Sequence, residues 1–391
     1  MKSDTKLVNA GRSVKYTGKL INPPIARAST IVFDSISEQL HSEKNKYNNV
    51  ENYGRTGTST TFAFKEAMCE LERAADCYVF PCGTAAITSS LLAFVSAGDH
   101  ILVVDSVYQP TRWFCDETLV RLGVEVEYYD PMIGASLANL VRDNTSVIFV
   151  ESPGSLTMEV QDIPAIVEIA QKHGIVTMMD NTYASPLNLK PLELGIDISI
   201  HSATKYLSGH SDIMLGVASA NKKNAEKLVR LSHNFGQCAS PDDIYTTLRG
   251  LRTLSVRMRQ QADNALSIAN WLVEHPLVDH VRHPALASCP GYQFYQRDFA
   301  GHNGLFSFVL KAGTDAAITA MIDELALFKM GYSWGGFESL ILVTTGFSDK
   351  RSVTDWLAKG PLVRLSIGLE DVEDLVDDLT KGLEKYQQAL S

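Results

Sequence analysis

From residue 77 onward the chain alternates short apolar runs with amphipathic stretches, and this alternation restricts the fold more than any other feature. CYVFP, HILVVD, VEVEYYD, SVIFVES, IVTMMD and DISIHS have the length and β-branched content of strands. GTAAITSSLLAFVSAG, TRWFCDETLVRLG, GASLANLVR and IPAIVEIAQKHG, which lie between them, carry helical spacing. Strand–helix–strand units repeating at roughly 25 residues imply right-handed crossovers and a mostly parallel sheet covered on both faces. A further run, IMLGVASA, supplies one more strand. We therefore expect an α/β protein with one large domain over residues 56–243. An arm, residues 1–55, precedes it and ends in the polar stretch YNNVENYGRTGTST, which has no clear period and reads as extended. A smaller C-terminal α/β domain over 244–391 follows. SPDDIYTTLRGLRTLSVRMRQQADNALSIANWLVEH reads as one long helix, with Ser240 as N-cap and Pro241 in its first turn. EDVEDLVDDLTKGLEKYQQAL closes the chain as a helix whose acidic-to-basic order suits the helix dipole.

Composition narrows the partners. A length of 391 residues allows more than one core, and a net charge of -10 argues against nucleic acid or an anionic membrane surface, both of which need clustered Lys and Arg. An anionic ligand must be held locally. The opening MKSDTKLVNAGRSVKYTG lacks the apolar core of a secretion signal, and no apolar run reaches the roughly 18 residues of a membrane span, so a cytoplasmic location is expected. The six cysteines form no CxxC pair and no zinc-like cluster with histidine, which points to reduced, mostly buried thiols and no metal.

Ligands of parallel α/β sheets sit at the carboxyl ends of the strands, and three features fall there. Gly83 follows CYVFP and opens a helix whose first turn, GTAA, is small enough for its N–H groups to meet a phosphate; a packing glycine is the plain alternative. No Walker or GxGxxG pattern accompanies it, so nucleotides are disfavoured. Asp180 ends the apolar strand IVTMM, where a carboxylate needs a cation or N–H donors; it either caps the turn with Asn181 and Thr182 or faces a protonated nitrogen. Lys205, in HSATKYLSGHSD, stands between Ser202 and Thr204 on one side and a Gly-His pair on the other. It is either a solvated loop lysine or a desolvated amine fit for Schiff-base chemistry. Together these groups are what pyridoxal 5'-phosphate asks of a protein. His201 and His210, flanking the lysine, read as hydrogen-bonded loop residues.

The run from Asp197 to Ser211 resembles the lysine signature of the Cys/Met-metabolism pyridoxal-phosphate enzymes, as do the YGR arm, PCGTAA, ESPGS, MDNTYASP, GLRTL, SWGGFESL and VRLSIGLED, so the likeness spans nearly the whole chain. The resemblance implies the fold-type I PLP-dependent transferase fold, with Lys205 carrying the cofactor and acting in catalysis. It further implies that Asp180 accepts the pyridinium N–H and that Gly83, Thr84, Ser202 and Thr204 cradle the phosphate. Tyr108 is implied to stack on the ring, contact substrate and help strip the incoming amine of a proton. Tyr53 and Arg55 are implied to reach a neighbouring subunit's phosphate, Tyr53 also meeting substrate, so that a homo-oligomer is required, usually a tetramer of site-sharing dimers. Arg364 resembles the arginine that forks onto the substrate α-carboxylate.

Two departures from the commoner family pattern point to the β-lyase branch: Tyr53-Gly54-Arg55 followed by Thr56-Gly57-Thr58, and the bulky Tyr332-Ser333-Trp334, which adds Ser333 and Trp334 as substrate contacts. The expected reaction is β-elimination of L-cystathionine to homocysteine, pyruvate and ammonia, with cysteine desulfhydration as a side activity. A γ-type or broader carbon–sulfur lyase on the same scaffold, and a non-catalytic cofactor-binding regulator, remain alternatives.

Overall fold

The computed structural model describes residues 1–344, 351–354 and 360–390; of the segment 244–391, residues 345–350, 355–359 and 391 lie outside it. Seven strands form the larger sheet: β1 (Asp76–Phe80), β2 (His100–Val104), β3 (Glu125–Tyr129), β4 (Thr145–Glu151), β5 (Val176–Asp180), β6 (Ile198–Ser202) and β7 (Gly216–Ala220). Their order is β1-β7-β6-β5-β4-β2-β3. All neighbours run parallel except at β7, which is antiparallel to both β1 and β6. The near-continuous apolar runs follow from this, because helices cover both faces and β2 and β7 are buried from end to end. The carboxyl ends of β2, β4, β5 and β6 lie along one edge, bringing Asp105, Glu151, Asp180 and Ser202 to it.

The smaller sheet contains β8 (Val278–Arg282), β9 (Leu305–Leu310), β10 (Lys329–Met330), β11 (Leu340–Thr344) and β12 (Leu362–Ser366), in the order β10-β11-β12-β9-β8. Its pairings are antiparallel apart from β10 with β11. The helices Leu254–Val273, Asp315–Glu324 and Val372–Leu390 bury their apolar stripes in a second core around Phe306, Phe308, Val363 and Leu365.

Several local expectations are corrected. The arm, for which no helix was expected, holds one at Ile36–Asn45, ahead of the stretch read as extended; the Ser35 hydroxyl accepts the Glu38 N–H, and the Glu38 carboxylate reaches back to the Asp34 N–H. Its end, NYGRTG, contains a short 3₁₀ turn at Gly54–Thr56. The long helix after Ser240 is two, Pro241–Leu251 and Leu254–Val273. In the last turn of the first, Gly250 lets the lysine loop approach closely: a Cβ there would lie 2.4 Å from the Ser208 carbonyl oxygen. TRWFCDETLVRLG winds as a short α-helix, Gln109–Trp113, and then a wider π-turn, Phe114–Leu119, while GASLANL is 3₁₀. His201 belongs to β6 and is buried, not in a loop; its ring meets the buried Glu72 carboxylate of the helix Ser59–Glu72. None of the described helices is long and apolar enough to cross a membrane.

Candidate active site

Strand β6 ends at Ser202, and the chain then turns through Ala203 and Thr204 so that Lys205 stands just beyond the sheet edge, its N–H bonded to the Ser202 carbonyl at 3.1 Å. The turn is held from below. The buried Arg257 guanidinium donates to the Tyr206 carbonyl at 2.9 Å and to Gly250 at 3.0 Å, against Gly209, whose positive φ and lack of a side chain leave room for it. The Lys205 ammonium donates to the Ser333 hydroxyl at 2.8 Å and lies 5.5 Å from the centre of the Trp334 ring, which itself packs against Tyr206. Burial, and next the Arg364 charge, lower the Lys205 pKa to about 8, against the opposing pull of Asp180. The loop lysine that the motif also allowed is thus a desolvated amine facing two side chains of the smaller sheet's loop.

Asp180 is buried at the end of β5 and pairs in register with Glu151 of β4. Its Oδ1 accepts the Thr182 N–H at 2.9 Å and the Thr182 hydroxyl, which in turn accepts the Ser202 N–H at 2.8 Å. The capping alternative therefore holds, and Thr182 ties β5 to β6. Burial pushes the Asp180 carboxyl up despite these donors, and burial followed by Asp180 itself pushes Glu151 well up. Two adjacent carboxylates under this strain call for a cation, which a protonated ring nitrogen would provide. Glu151 also accepts the Tyr108 N–H at 2.7 Å. Desolvation of the Tyr108 hydroxyl, then Asp180 and Glu151, raise its pKa, so the phenol holds its proton.

Gly83 opens the helix Gly83–Phe94 directly against β6: a Cβ there would lie 2.6 Å from both Cβ and Oγ of Ser202. The packing reading of Gly83 is accordingly correct, and it is what sets the helix start, with Thr84 in its first turn, against the serine. This cradle, the strained carboxylate pair and the low-pKa amine together suit an anionic pyridine aldehyde. The Thr204 hydroxyl is spent locally, accepting the Leu215 N–H at 3.0 Å and donating to the Leu215 carbonyl at 3.2 Å.

Arg364 comes from β12. Its Nη atoms donate to the carbonyls of Gly331 and Ser333, each at 3.0 Å, and to that of Tyr332 at 3.4 Å, which fixes the loop presenting Ser333 and Trp334. Its buried Nε–H has no partner among the described residues, and burial lowers its pKa to about 10. The Nη pair is shared with the loop, so a carboxylate held here would have to reach the buried Nε–H or displace one of those carbonyls.

Two expected residues are not brought here. Tyr53 is 47% exposed, its hydroxyl 3.4 Å from that of Ser29, and Arg55 donates to the His233 carbonyl at 2.9 Å; no hydrogen bond or ring contact joins either to the Lys205 group among the described residues. Sequence reasoning missed Glu151, although it lies in a quoted motif, ESPGS, at a strand end, and it named Thr182 only as a capping partner of Asp180. It also missed the cluster of Cys69, Asp76 and Cys77, whose ligand atoms lie within 4.8 Å of one another; there Asp76 is taken by the Lys65 ammonium at 3.0 Å and the Cys77 N–H at 2.8 Å.

A lysine beyond a strand end, a buried acid one strand over and a glycine-led helix on a parallel sheet define a cofactor-dependent enzyme of the pyridoxal class. Residues 4–384 match the model of the Cys/Met metabolism PLP-dependent enzymes, and the chain belongs to that family. It is 47% identical over 386 residues to the cystathionine beta-lyase of Escherichia coli (strain K12), covering 97% of this chain and 98% of that one. It is 49% identical over 384 residues to the cystathionine beta-lyase of Salmonella typhimurium, covering 97% of each. Among solved structures, it is similar to cystathionine gamma-lyase from Lactobacillus plantarum complexed with L-serine, with a TM-score of 0.90, 30% identity and coverage of 99% and 100%.

Proposed function

We propose that the chain is a carbon–sulfur lyase that cleaves L-cystathionine by β-elimination to homocysteine, pyruvate and ammonia. The observation that carries this reading is the Lys205 amine, held by Ser333 and flanked by Trp334 in one site with Asp180, Tyr108 and Arg364. The names of the two relatives at 47% and 49% identity support it.

In this reading Lys205 would hold the aldehyde carbon of pyridoxal 5'-phosphate, Asp180 would pair with its ring nitrogen, and Gly83, Thr84, Ser202 and Thr204 would hold its phosphate. Thr204 would have to give up its bonds to Leu215, made by both its hydroxyl and its N–H, to reach the phosphate. Bound there, the cofactor supplies an electron sink for the pair left when the substrate Cα loses its proton. Arg364 holds the substrate α-carboxylate through its guanidinium, whose buried Nε–H is the donor the loop does not use. Tyr108, its phenol kept protonated by burial and then by the Asp180 and Glu151 charges, stands beside the incoming substrate amine as a hydrogen-bonding and stacking partner. Lys205 Nζ, once free, takes the Cα proton; the Cβ–S bond then breaks with its electron pair going to sulfur, and Nζ returns a proton to the thiolate. The three-carbon fragment is hydrolysed to pyruvate and ammonia. A γ-elimination needs a second proton taken from Cβ, hence a longer swing of Nζ, and the Ser333 tether and the Trp334 wall restrict that swing. Cysteine, which also carries sulfur on Cβ, is the expected side substrate.

Residues 56–243 make the cofactor domain and 244–391 the smaller domain. Tyr53 and Arg55, turned away from their own Lys205, serve a neighbouring subunit in a homotetramer built of dimers, and the enzyme works in the cytoplasm. Incubation of the purified protein with L-cystathionine and identification of the products tests the reaction. Homocysteine with pyruvate supports it; cysteine with 2-oxobutyrate overturns it.

A further inference from the structure

Asp105, the residue after β2, carries more hydrogen bonds than its place in a loop requires. Its Oδ1 accepts from Arg112 Nη2 at 2.6 Å and from the Ser352 N–H and hydroxyl, each at 3.0 Å. Its Oδ2 accepts from the Val353 N–H at 3.1 Å, the Thr354 N–H at 3.0 Å and the Thr354 hydroxyl at 2.9 Å. One carboxylate thus gathers three successive backbone N–H groups, two hydroxyls and a guanidinium. Burial alone would raise its pKa, yet these donors hold it at about 2, so the group stays ionised at any working pH.

The two sides of this contact belong to different sheets. Asp105 stands three residues before Tyr108, in a loop pinned by the Tyr108 N–H on Glu151, the Ser155 N–H on the Ser106 carbonyl, and Arg112 packed 3.7 Å from the centre of the Tyr128 ring. Residues 352–354 belong to the connection between β11 and β12, and β12 carries Arg364. A second tie lies alongside, where Arg351 donates to the Thr157 hydroxyl and approaches Glu159 at 3.5 Å. An amino-acid substrate must be met by Tyr108 from one sheet and Arg364 from the other. Their separation is set wherever the two sheets' loops are fastened together.

We propose that Asp105 is a positioning residue: it fastens the β11–β12 connection to the Tyr108 loop and so sets the spacing between the ring-facing tyrosine and the carboxylate-binding arginine. It touches neither cofactor nor substrate. Nothing in the proposed reaction uses its charge, and six donors from two parts of the chain converge on it.

The inference rests on the carbon–sulfur lyase reading only for the choice of substrate, and its test separates the two. Asp105→Asn keeps the shape but loses acceptor capacity. Hydrogen exchange in the holoenzyme should rise at least about tenfold at residues 352–354 while the amides of β2 stay protected. In the same variant, KM for L-cystathionine should rise by about tenfold or more with kcat within roughly threefold of wild type and cofactor affinity unchanged. Should Asp105→Asn fail to fold, the double variant Ser352→Ala/Thr354→Ala, which keeps the acid and its Arg112 partner, should show the same KM-only effect at about threefold. Unchanged exchange at 352–354, a rise in exchange without a rise in KM, or a loss confined to kcat would each overturn the proposal. If L-cystathionine is no substrate at all, the lyase reading fails while the exchange measurement still decides whether Asp105 is the fastening.

Discussion

Lys205 concentrates the chemistry of the chain, and its environment makes opposite demands on stability and activity. The folded state lowers its pKa from 10.5 to about 8, so between those values the unfolded chain binds more protons. Lys205 therefore weakens the fold below about pH 8, and that penalty fades as pH rises toward 10.5. Lys205→Met should abolish lyase activity yet raise the stability of cofactor-free protein at pH 7 by about 1–2 kcal/mol, a gain that thermal unfolding should show shrinking above pH 8. The same shift places the acid limb of the kcat profile near pH 8, measured with saturating substrate; a flat profile from pH 6 to 9 would rule out the amine as the base. Thr182→Val strips Asp180 of one donor and leaves the Ser202 N–H without its partner, which should cost about 1–3 kcal/mol and weaken cofactor binding in an absorbance titration. Lys205 and Asp180 were legible because a charge at the end of an apolar strand needs a reason. Glu151 was not, and Thr182 was legible only as a cap for Asp180, because a carboxylate or hydroxyl within a motif gives no sign of whether it also meets a neighbouring strand.

At the level of elements, the lysine turn is positioned by contacts that no periodicity contains. The pattern from Ser240 onward reads as one helix because its apolar spacing continues through the break. Just before the break, Gly250 lies under the carbonyls of Ser208 and Leu207, at 2.4 and 2.5 Å from where a Cβ would stand. On a free helix, replacing glycine with alanine stabilises by up to about 1 kcal/mol. Here Gly250→Ala must push backbone against backbone, so we expect a loss of about 1–3 kcal/mol in chemical denaturation, together with weaker cofactor retention. A stabilised variant would mean that the turn is not pressed by the lysine loop. Gly83 behaves likewise: its alanine variant drives a methyl into Ser202. The helix in the arm, by contrast, was within reach of the sequence, since Ser35 and Glu38 stand at capping spacing; low apolar content in that stretch hid it.

For the whole molecule, the alternation of runs led to the parallel sheet, and the sheet determined which edge carries the chemistry. What it could not convey was the smaller sheet's contribution. Ser333 and Trp334 arrive at Lys205 from 128 residues or more along the chain because Arg364 grips the carbonyls of their loop. An arginine within a β-strand pattern shows neither that grip nor the convergence of two sheets on one amine. The account as a whole depends on Lys205 being the point of covalent attachment. Reduction of the cofactor-loaded protein with borohydride, followed by proteolysis and mass mapping, tests this directly. The pyridoxyl phosphate group should be recovered on the peptide containing Lys205 and on no other lysine; its recovery elsewhere, or the absence of any labelled peptide, would contradict the account.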